Sequence, residues 1–549
     1  MVCMGSMKAQ FNVNWSSDYR HTSSSSYSNE GRYVDVDTIG GKIYVLSDVT
    51  SNLNPSGVVD GQTHFYTVLS QFDETGFLIE SASIDVTNHS GNLYDLNSGF
   101  GLHVDQSGIF VGYTNYNAAS NFDVNISKFD NQLNLLWNYK FNGATEDLGI
   151  AMKVSATGEA FAIFKSSAGP NIRHRIIKAS AAGISTAPLY SYNSQPDFLT
   201  DFIIDGSNIY TTGYRLVGGV KAILVSCVTQ TGTLLWSRVD NCGTATGDDF
   251  ARQIIMGDDD YLYLTGASQG IVQHGVDAVV MKFDPLTGKK RWENFININL
   301  TDGGFYIANP DPNYVYVAWN GGTSVYLDQM SAGNGAFIRR ITYSPIPVSP
   351  YSSLANTTIT GMKMSKLRNI YLTGSISGLS SGQNFTASFM IRASFTGRGI
   401  PSVEYEMPVV GEPTSSFVGK AIALDESIAT VYFLSDEIAP YSTHQQETVW
   451  LQSLGVPAML RVQQSASSAV EEMTITAQPN PASDKINITS NFIISSIEIS
   501  DINGKIVFES RDISSKNAFI NVSDLNQGVY FIKAVNDLGN SGFYKIIRQ

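Results

Sequence analysis

Along almost the whole chain, apolar and polar residues alternate in short runs that end at Gly, Asn, Asp or Pro. The stretches Tyr261-Leu262-Tyr263-Leu264-Thr265-Gly266 and Asp277-Ala278-Val279-Val280-Met281-Lys282-Phe283 carry the β-branched and aromatic enrichment and the turn-bounded length of strands. Continuous apolar stretches stop after about five to seven residues, far short of the roughly 20 that span a bilayer, so no transmembrane segment is expected.

The strands come as a repeat. Its clearest copy opens on Gly247-Asp248-Asp249-Phe250-Ala251-Arg252, runs through Ile254-Ile255, turns at Asp258 to Asp260, and continues as Tyr261 to Gly266 and Asp277 to Asp284. It closes on Thr287-Gly288 and Trp292. Aligned on the aromatic residue of the second strand, the unit recurs at Tyr44, Phe110, Phe161, Tyr210, Tyr263, Tyr316, Tyr371 and Tyr432, at steps of 49 to 66 residues. The second hairpin recurs as Phe72-Asp73 with Gly76, Phe129-Asp130 with Trp137, Thr231-Gly232 with Trp236 and Phe283-Asp284 with Trp292. Ser331 to Gly335 and Ser394 to Gly399 are degenerate copies. Four antiparallel strands per copy, without intervening helices, predict an all-β fold: a β-propeller of eight four-stranded blades, with seven the alternative if one weak copy is an insertion. Phe11-Asn12-Val13-Asn14-Trp15 resembles the outer strands at Leu135-Leu136-Trp137 and Leu234-Leu235-Trp236. It is expected to complete the last blade, which after Thr448-Val449-Trp450 lacks the Gly turn and Trp.

Residues 466–472, within a small polar stretch, read as a linker that closes a propeller spanning 11–465. Residues 473–549 then carry Ile486 and Ile488, Ile497-Glu498-Ile499, Ile506-Val507-Phe508, Phe519 to Val522, Val529 to Ile532 and Tyr544 to Ile547 between Asn- and Gly-rich turns. That pattern predicts a small immunoglobulin-like β-sandwich of six or seven strands.

Composition narrows the function classes. With 43% hydrophobic and 15% charged residues over 549, the chain is globular at several domains' length. A formal charge of −14 leaves no basic surface for a run of phosphates, so neither nucleic acid nor an anionic membrane is an expected partner. Residues 473–549 balance seven Lys/Arg against seven Asp/Glu, so the whole excess lies before them, in Asp-containing turns. Three cysteines have no metal spacing and are too few for a disulfide framework. Cys3 lies in residues 1–10, which read as the residue of an export signal or an appended segment rather than folded structure. Cys227 and Cys242 fall near the two ends of one predicted hairpin, as a disulfide or as buried free thiols.

Two resemblances sit on these residues. The pattern from Gly247-Asp248-Asp249 through Tyr263-Leu264-Thr265-Gly266 to Trp292, repeated at Thr200-Asp201-Phe202 with Tyr210-Thr211-Thr212-Gly213, resembles the SBBP-type β-propeller repeat of bacterial secreted and surface proteins. The C-terminal order resembles the type A C-terminal sorting domain of the type IX secretion system of Bacteroidetes. It comprises Pro479-Asn480-Pro481, Asp501-Ile502-Asn503-Gly504-Lys505, Leu525-Asn526-Gln527-Gly528-Val529-Tyr530 and Lys545-Ile546-Ile547. The second resemblance implies export through the periplasm to the outer-membrane surface or the extracellular space, with the type IX machinery as partner. Pro479 and Pro481 cannot donate ladder bonds and so delimit the domain, while Asn503-Gly504 suits a tight hairpin and Gly528 a turn or close approach.

Candidate chemistry is thin. Asp284-Pro285-Leu286-Thr287-Gly288-Lys289-Lys290-Arg291-Trp292 is similar to the docking motif of quinoprotein propellers. Thr231-Gly232 with Trp236 is its one close second copy, no adjacent cysteine pair is present, and the Trp serves equally to lock blade to blade. Asp258-Asp259-Asp260 offers the clustered carboxylates that Ca²⁺ takes, without the flanking ligand spacing, and otherwise reads as a solvated turn. The histidines show no i, i+4 pair, and there is no Gly-x-Ser-x-Gly elbow or phosphate-cradling loop. Uncharged loops at His21 to Ser28, Tyr116 to Asn121 and Ser375 to Asn384 suit glycan or protein contact, as they suit any exposed loop. The expectation is a propeller that binds an extracellular glycan or protein without a cofactor. The alternative is an enzyme acting on polysaccharide or peptide with acids drawn from distant blades.

Overall fold

The computed structural model describes residues 9–10, 12–19, 28–455 and 475–549. Excepted are 54–58, 90–97, 118–120, 142, 144–145, 169–170, 185–187, 193–196, 243–246, 270–275, 297–301, 345–350, 366–368, 381–382, 396–401, 407–415, 426–429, 440–445, 502–504 and 537–540. The chain divides into two compact units, Met1–Pro457 and Ala458–Gln549. The predicted linker lies outside the described residues.

Among the described residues, the first unit holds eight sheets, seven of four antiparallel strands and one of five. Their innermost strands are, in order, Ser28–Asp37, Ser98–Asp105, Glu146–Val154, Asp197–Asp205, Asp249–Met256, Asp302–Asp311, Tyr351–Met364 and Ser416–Asp425. Each packs against the one before and the one after, and the eighth packs against the first, so the sheets form the closed ring of an eight-bladed propeller. Asn12–Tyr19 supplies the outer strand of blade eight, antiparallel to Gln446–Gly455 with Ser17 opposite Leu451, as the sequence predicts. Ala9–Gln10, expected to lie outside the fold, instead pairs in parallel with Tyr405–Glu406 and adds the fifth strand to blade seven. An edge strand with open backbone groups accepts any extended neighbour, which gives the physical reason.

The aromatic residues used to align the repeat are all buried, none more than 5% exposed, so they mark equivalent core positions. The Gly that ends the second-strand motif has a specific cause. Every innermost strand carries a β-bulge at its middle, where the register slips past Arg32, Phe100, Ile150, Thr200, Arg252, residues 304–305, Thr360 and Lys420. The bulge pushes the carbonyls of Phe198, Phe250 and Thr358 onto the facing Gly213, Gly266 and Gly374, where any Cβ would collide with them.

The second unit is one curled sheet of Ile475–Gln478, Lys485–Asp501, Ile506–Asn521, Gly528–Asn536 and Ser541–Arg548. Two strands are long because each bends: register breaks between Thr489 and Ile494 let Lys485–Asp501 serve both sides of the core, replacing the shorter segments the pattern suggests. The core is Ile486, Ile488, Ile494, Ile497, Ile499, Ile532 and Ile546 with smaller neighbours. The tips at 502–504, including Asn503 and Gly504, lie outside the described residues.

Candidate functional site

The quinoprotein-like pattern serves the ring's architecture. Asp284 Oδ1 accepts the N–H groups of Leu286 and Thr287, closing the turn between the third and fourth strands, and Asp73 and Asp130 do the same in blades one and two. Gly288 then takes φ 66°, and the Trp236 ring of blade four lies where its side chain would be, its Nε1 donating to Pro285 O at 2.9 Å. Trp137 on Gly183 with Ala181 O, and Trp292 on Gly335 with Ala332 O, repeat the lock between blades two and three and blades five and six. Within its own blade each Trp meets the core aromatic, Phe110, Tyr210 or Tyr263.

The Asp258 to Asp260 turn is internally engaged. Asp259 Oδ2 accepts from Lys282 Nζ and Tyr263 OH, both at 2.7 Å, and Asp258 N–H donates to Asn309 of the next blade. A different group draws together: ligand atoms of Asp240, Cys242 and Glu293 lie within 4.8 Å of one another. Lys290 Nζ already bridges this group, 2.8 Å from Asp240 and 2.6 Å from Glu293, so an ammonium stands where a cation would. Beside it a groove of about 560 Å³ is lined by Arg238, Asp240, Thr287, Lys289 and Lys290. Cys227 and Cys242 are both buried and free. Strand register sets Cys227 opposite Trp236, while Cys242 follows Asp240, which faces Ile223 further along. Burial pushes both thiols up, Cys227 to about 11.

Of the histidines, His21, His274 and His444 lie outside the described residues. His174 is buried, accepts Leu199 N–H on Nδ1 and is driven down to about 4 by desolvation. His103 pairs with Asp105 at 3.4 Å.

The side chains that sequence reasoning missed lie along the axis. An innermost strand has a sheet partner on one edge only, and side chains of the preceding blade satisfy the other. Asp35 accepts Val104 N–H, Asp201 accepts Ile254 N–H and Gln253 accepts Ile307 N–H, at 2.9, 3.2 and 2.9 Å. Tyr33 OH donates to Phe100 O and Tyr306 OH to Thr360 O. Burial raises the pKa of Tyr33, with further influence from Arg32, Asp48, Tyr306 and Asp201, which brings blades one, four and six within electrostatic reach. Asp35 is likewise raised by burial and lowered by Lys363 and His103, of blades seven and two. Where the first and eighth blades meet, a chain of charges runs Asp48–Arg32–Glu30–Lys420–Asp436, with contacts of 2.6 to 3.2 Å. Desolvation pushes Asp436 up to about 8 against the opposing pull of Lys420. No repeat motif marks these axial residues. The usable signal was a polar residue just after the bulge that changes from blade to blade.

In the second unit Pro479, Asn480 and Pro481 are exposed beside the terminal strand. The Asn480 side chain acts as a ladder residue, its Oδ1 accepting Ile547 N–H and its Nδ2 donating to Lys545 O, both at 2.9 Å. Ala482 continues the pairing through Ile547 O and Gln549 N–H. Asp501 and Lys505 close the hairpin base, with Lys505 N–H on Asp501 Oδ1 at 3.0 Å. Tyr530 is buried and donates to Asn526 O, Leu525 N–H donates to Val522 O, Gly528 and Val529 are half-buried, and Lys505 and Lys545 are exposed. The motif therefore splits into Tyr530 and Leu525, which hold the turn, and an exposed set around Asn480 and Lys545.

Residues 476–549 match the family of the secretion system C-terminal sorting domain, the tail of type IX cargo. Solved structures similar to the chain include two β-propellers. The structure of the Dos1 propeller is 9% identical, with 82% of this chain and 96% of that one covered and a TM-score of 0.45. The polysaccharide lyase Uly1 is 13% identical over 65% and 90%, TM-score 0.39. The propeller domain of the Trilobed protease from Pyrococcus furiosus, with its open velcro topology, is 9% identical over 65% and 94%, TM-score 0.36. No curated protein sequence matches the chain. The sorting tail indicates export to the cell surface or extracellular space, and among the described residues no helix is long and apolar enough to cross a membrane.

Proposed function

We propose that the chain is a type IX cargo of Bacteroidetes type, built on SBBP-like blades, whose propeller binds a glycan or protein outside the cell without altering it. Its exposed Pro479, Asn480, Pro481, Lys505 and Lys545 meet the secretion machinery, with Asp501, Leu525, Gly528, Val529 and Tyr530 shaping that surface and Asn503 and Gly504 belonging to the same motif.

The observation that carries the binding reading is how the inner strands use their acids and phenols. Asp35, Asp201, Tyr33 and Tyr306 each serve a backbone group of the next blade. A general acid or base must exchange a proton with substrate, and in each of these groups one hydrogen-bonding position already serves the fold. The enzyme reading draws on the same tier, since Tyr33, Asp201 and Tyr306 stand on the innermost strands of three blades. A polysaccharide and peptide binding screen with product analysis tests the choice. Saturable binding with the ligand recovered intact is expected, and shortened or unsaturated product overturns it.

A further inference from the structure

The charge of the axial tier runs against that of the chain. All five Lys/Arg on the eight innermost strands, Arg32, Lys153, Arg252, Lys363 and Lys420, fall within the stretch from the bulge to the third residue after it, the stretch whose other polar side chains reach the next blade's open edge. The same stretch holds only two carboxylates, Asp35 and Asp201, in a protein of net charge −14. Arg32 and Lys420 are held within the closing network by Asp48, Glu30 and Asp436. Three further cations stand on blades three, five and seven, against the two carboxylates Asp35 and Asp201. Lys153 is 47% exposed and reaches Asp201 only at 3.8 Å. Arg252 is exposed and stands 5.9 Å from the Tyr306 ring, and neither it nor the exposed Lys363 makes an ion pair among the described residues. Each stands beside an edge-capping residue: Lys153 by Asp201, Arg252 by Tyr306, and Lys363 within the field of Asp35.

Edge-capping alone does not require these cations, because Asp35, Asp201, Gln253, Tyr33 and Tyr306 already do that work. Nor does the acidic exterior cancel them: at physiological salt its field is screened beyond about 8 Å, so a ligand at the axis meets the local charges. Exposed Arg and Lys heads on the innermost strands of three blades, one of them beside the half-buried phenol of Tyr306, offer a recognition surface for an anion carried on a polar ring. The Arg fork suits a carboxylate or sulfate bidentately, and Tyr supplies an apolar face with a polar tip.

We propose that the axial face of the propeller binds an acidic glycan, a sugar chain bearing carboxylate or sulfate groups, with the anions taken by Arg252, Lys153 and Lys363 beside Tyr33 and Tyr306. This ligand class rests on the binding reading above. The test is calorimetric titration of the purified full chain with oligogalacturonate, a sulfated galactan oligomer and a neutral cello-oligosaccharide, at low and high NaCl, followed by product analysis. Arg252→Gln, Lys363→Gln and their combination are compared with the parent, all three being exposed-site changes that leave the packed core untouched.

At least one acidic oligomer binds and the neutral one does not. Binding weakens with salt, and each substitution costs about tenfold in affinity, as the loss of a charge-assisted contact should. Preference between the uronate and the sulfated probe identifies the anion. If neither acidic oligomer binds, or the substituted chains bind as tightly as the parent, the axial site is refuted, and a neutral or protein ligand would still leave the binding module standing. If acidic oligomers bind and are cut, the ligand class holds and the non-catalytic reading falls.

Discussion

The two units use their distinctive residues in opposite ways. In the propeller, the residues that look most like chemistry recur from blade to blade and build the ring. Asp284, Gly288 and Trp236 make a lock that Gly183 with Trp137 and Gly335 with Trp292 repeat. In the sorting domain each distinctive residue occurs once, and several, such as Asn480 and Lys545, remain at the surface. Recurrence thus marks structure, because every blade must solve the same packing problem. The singular residues that stay exposed are the ones we propose the export machinery reads, because only one surface has to be read. Applied back to the propeller, the same rule points away from its motifs and towards the positions around the bulge, where Arg252, Asp201, Tyr306 and Lys363 differ from blade to blade.

The largest expected effect attacks the recurring class. Trp236→Ala removes a buried indole, its contact with Gly288 and its bond to Pro285, and should cost about 3–5 kcal/mol in denaturant unfolding of the first unit. Loss of only a few tenths of a kcal/mol would show that the lock is decorative. Gly266→Ala comes next. Its Cβ meets the Phe250 carbonyl, and repair requires straightening the bulge, at roughly 1–3 kcal/mol, whereas Gly206→Ala has open space, so only its positive φ is strained. Equal costs at the two sites would break the link between the motif and the bulge.

Two buried groups should give opposite pH slopes. Asp436 is raised from 3.8 to about 8, so its contribution to stability is full below pH 4 and is lost as pH rises through 8. His174 is lowered from 6.5 to about 4, so its contribution is full above 6.5 and is lost as pH falls through 4. Thermal melts of Asp436→Asn should flatten the loss of stability between pH 4 and 8, and those of His174→Asn the loss between pH 6.5 and 4. Unchanged slopes would contradict the burial of both groups. The smallest effect belongs to the singular class: Asn480→Ala should cost roughly 1 kcal/mol in the second unit, from two exposed hydrogen bonds, yet lower the exported fraction well beyond that. Export in proportion to stability alone would make Asn480 structural.

Much of the fold was legible because the repeat exposes it. Eight aromatic residues at a regular spacing located eight second strands, and a Trp-bearing segment near the start identified the closing strand. The bends within Lys485–Asp501 and Ile506–Asn521 were not, because a strand that turns a corner keeps its period of two on both sides. Nor was the pairing of Ala9–Gln10, two residues with no pattern of their own. The axial tier escaped for a physical reason. A bulge shifts the alternation by one residue, so Arg252 and Gln253 face the same way, which no periodicity predicts. Asp240, Cys242 and Glu293 converge across two blades, a proximity that spacing does not carry.

The most direct measurement of the central claim is the location of the chain in its native host with and without residues 476–549, by surface labelling and fractionation of cells and medium. The intact chain should reach the surface or the medium while the truncated chain, still folded as a propeller, accumulates in the periplasm. Equal display of the two would contradict the account.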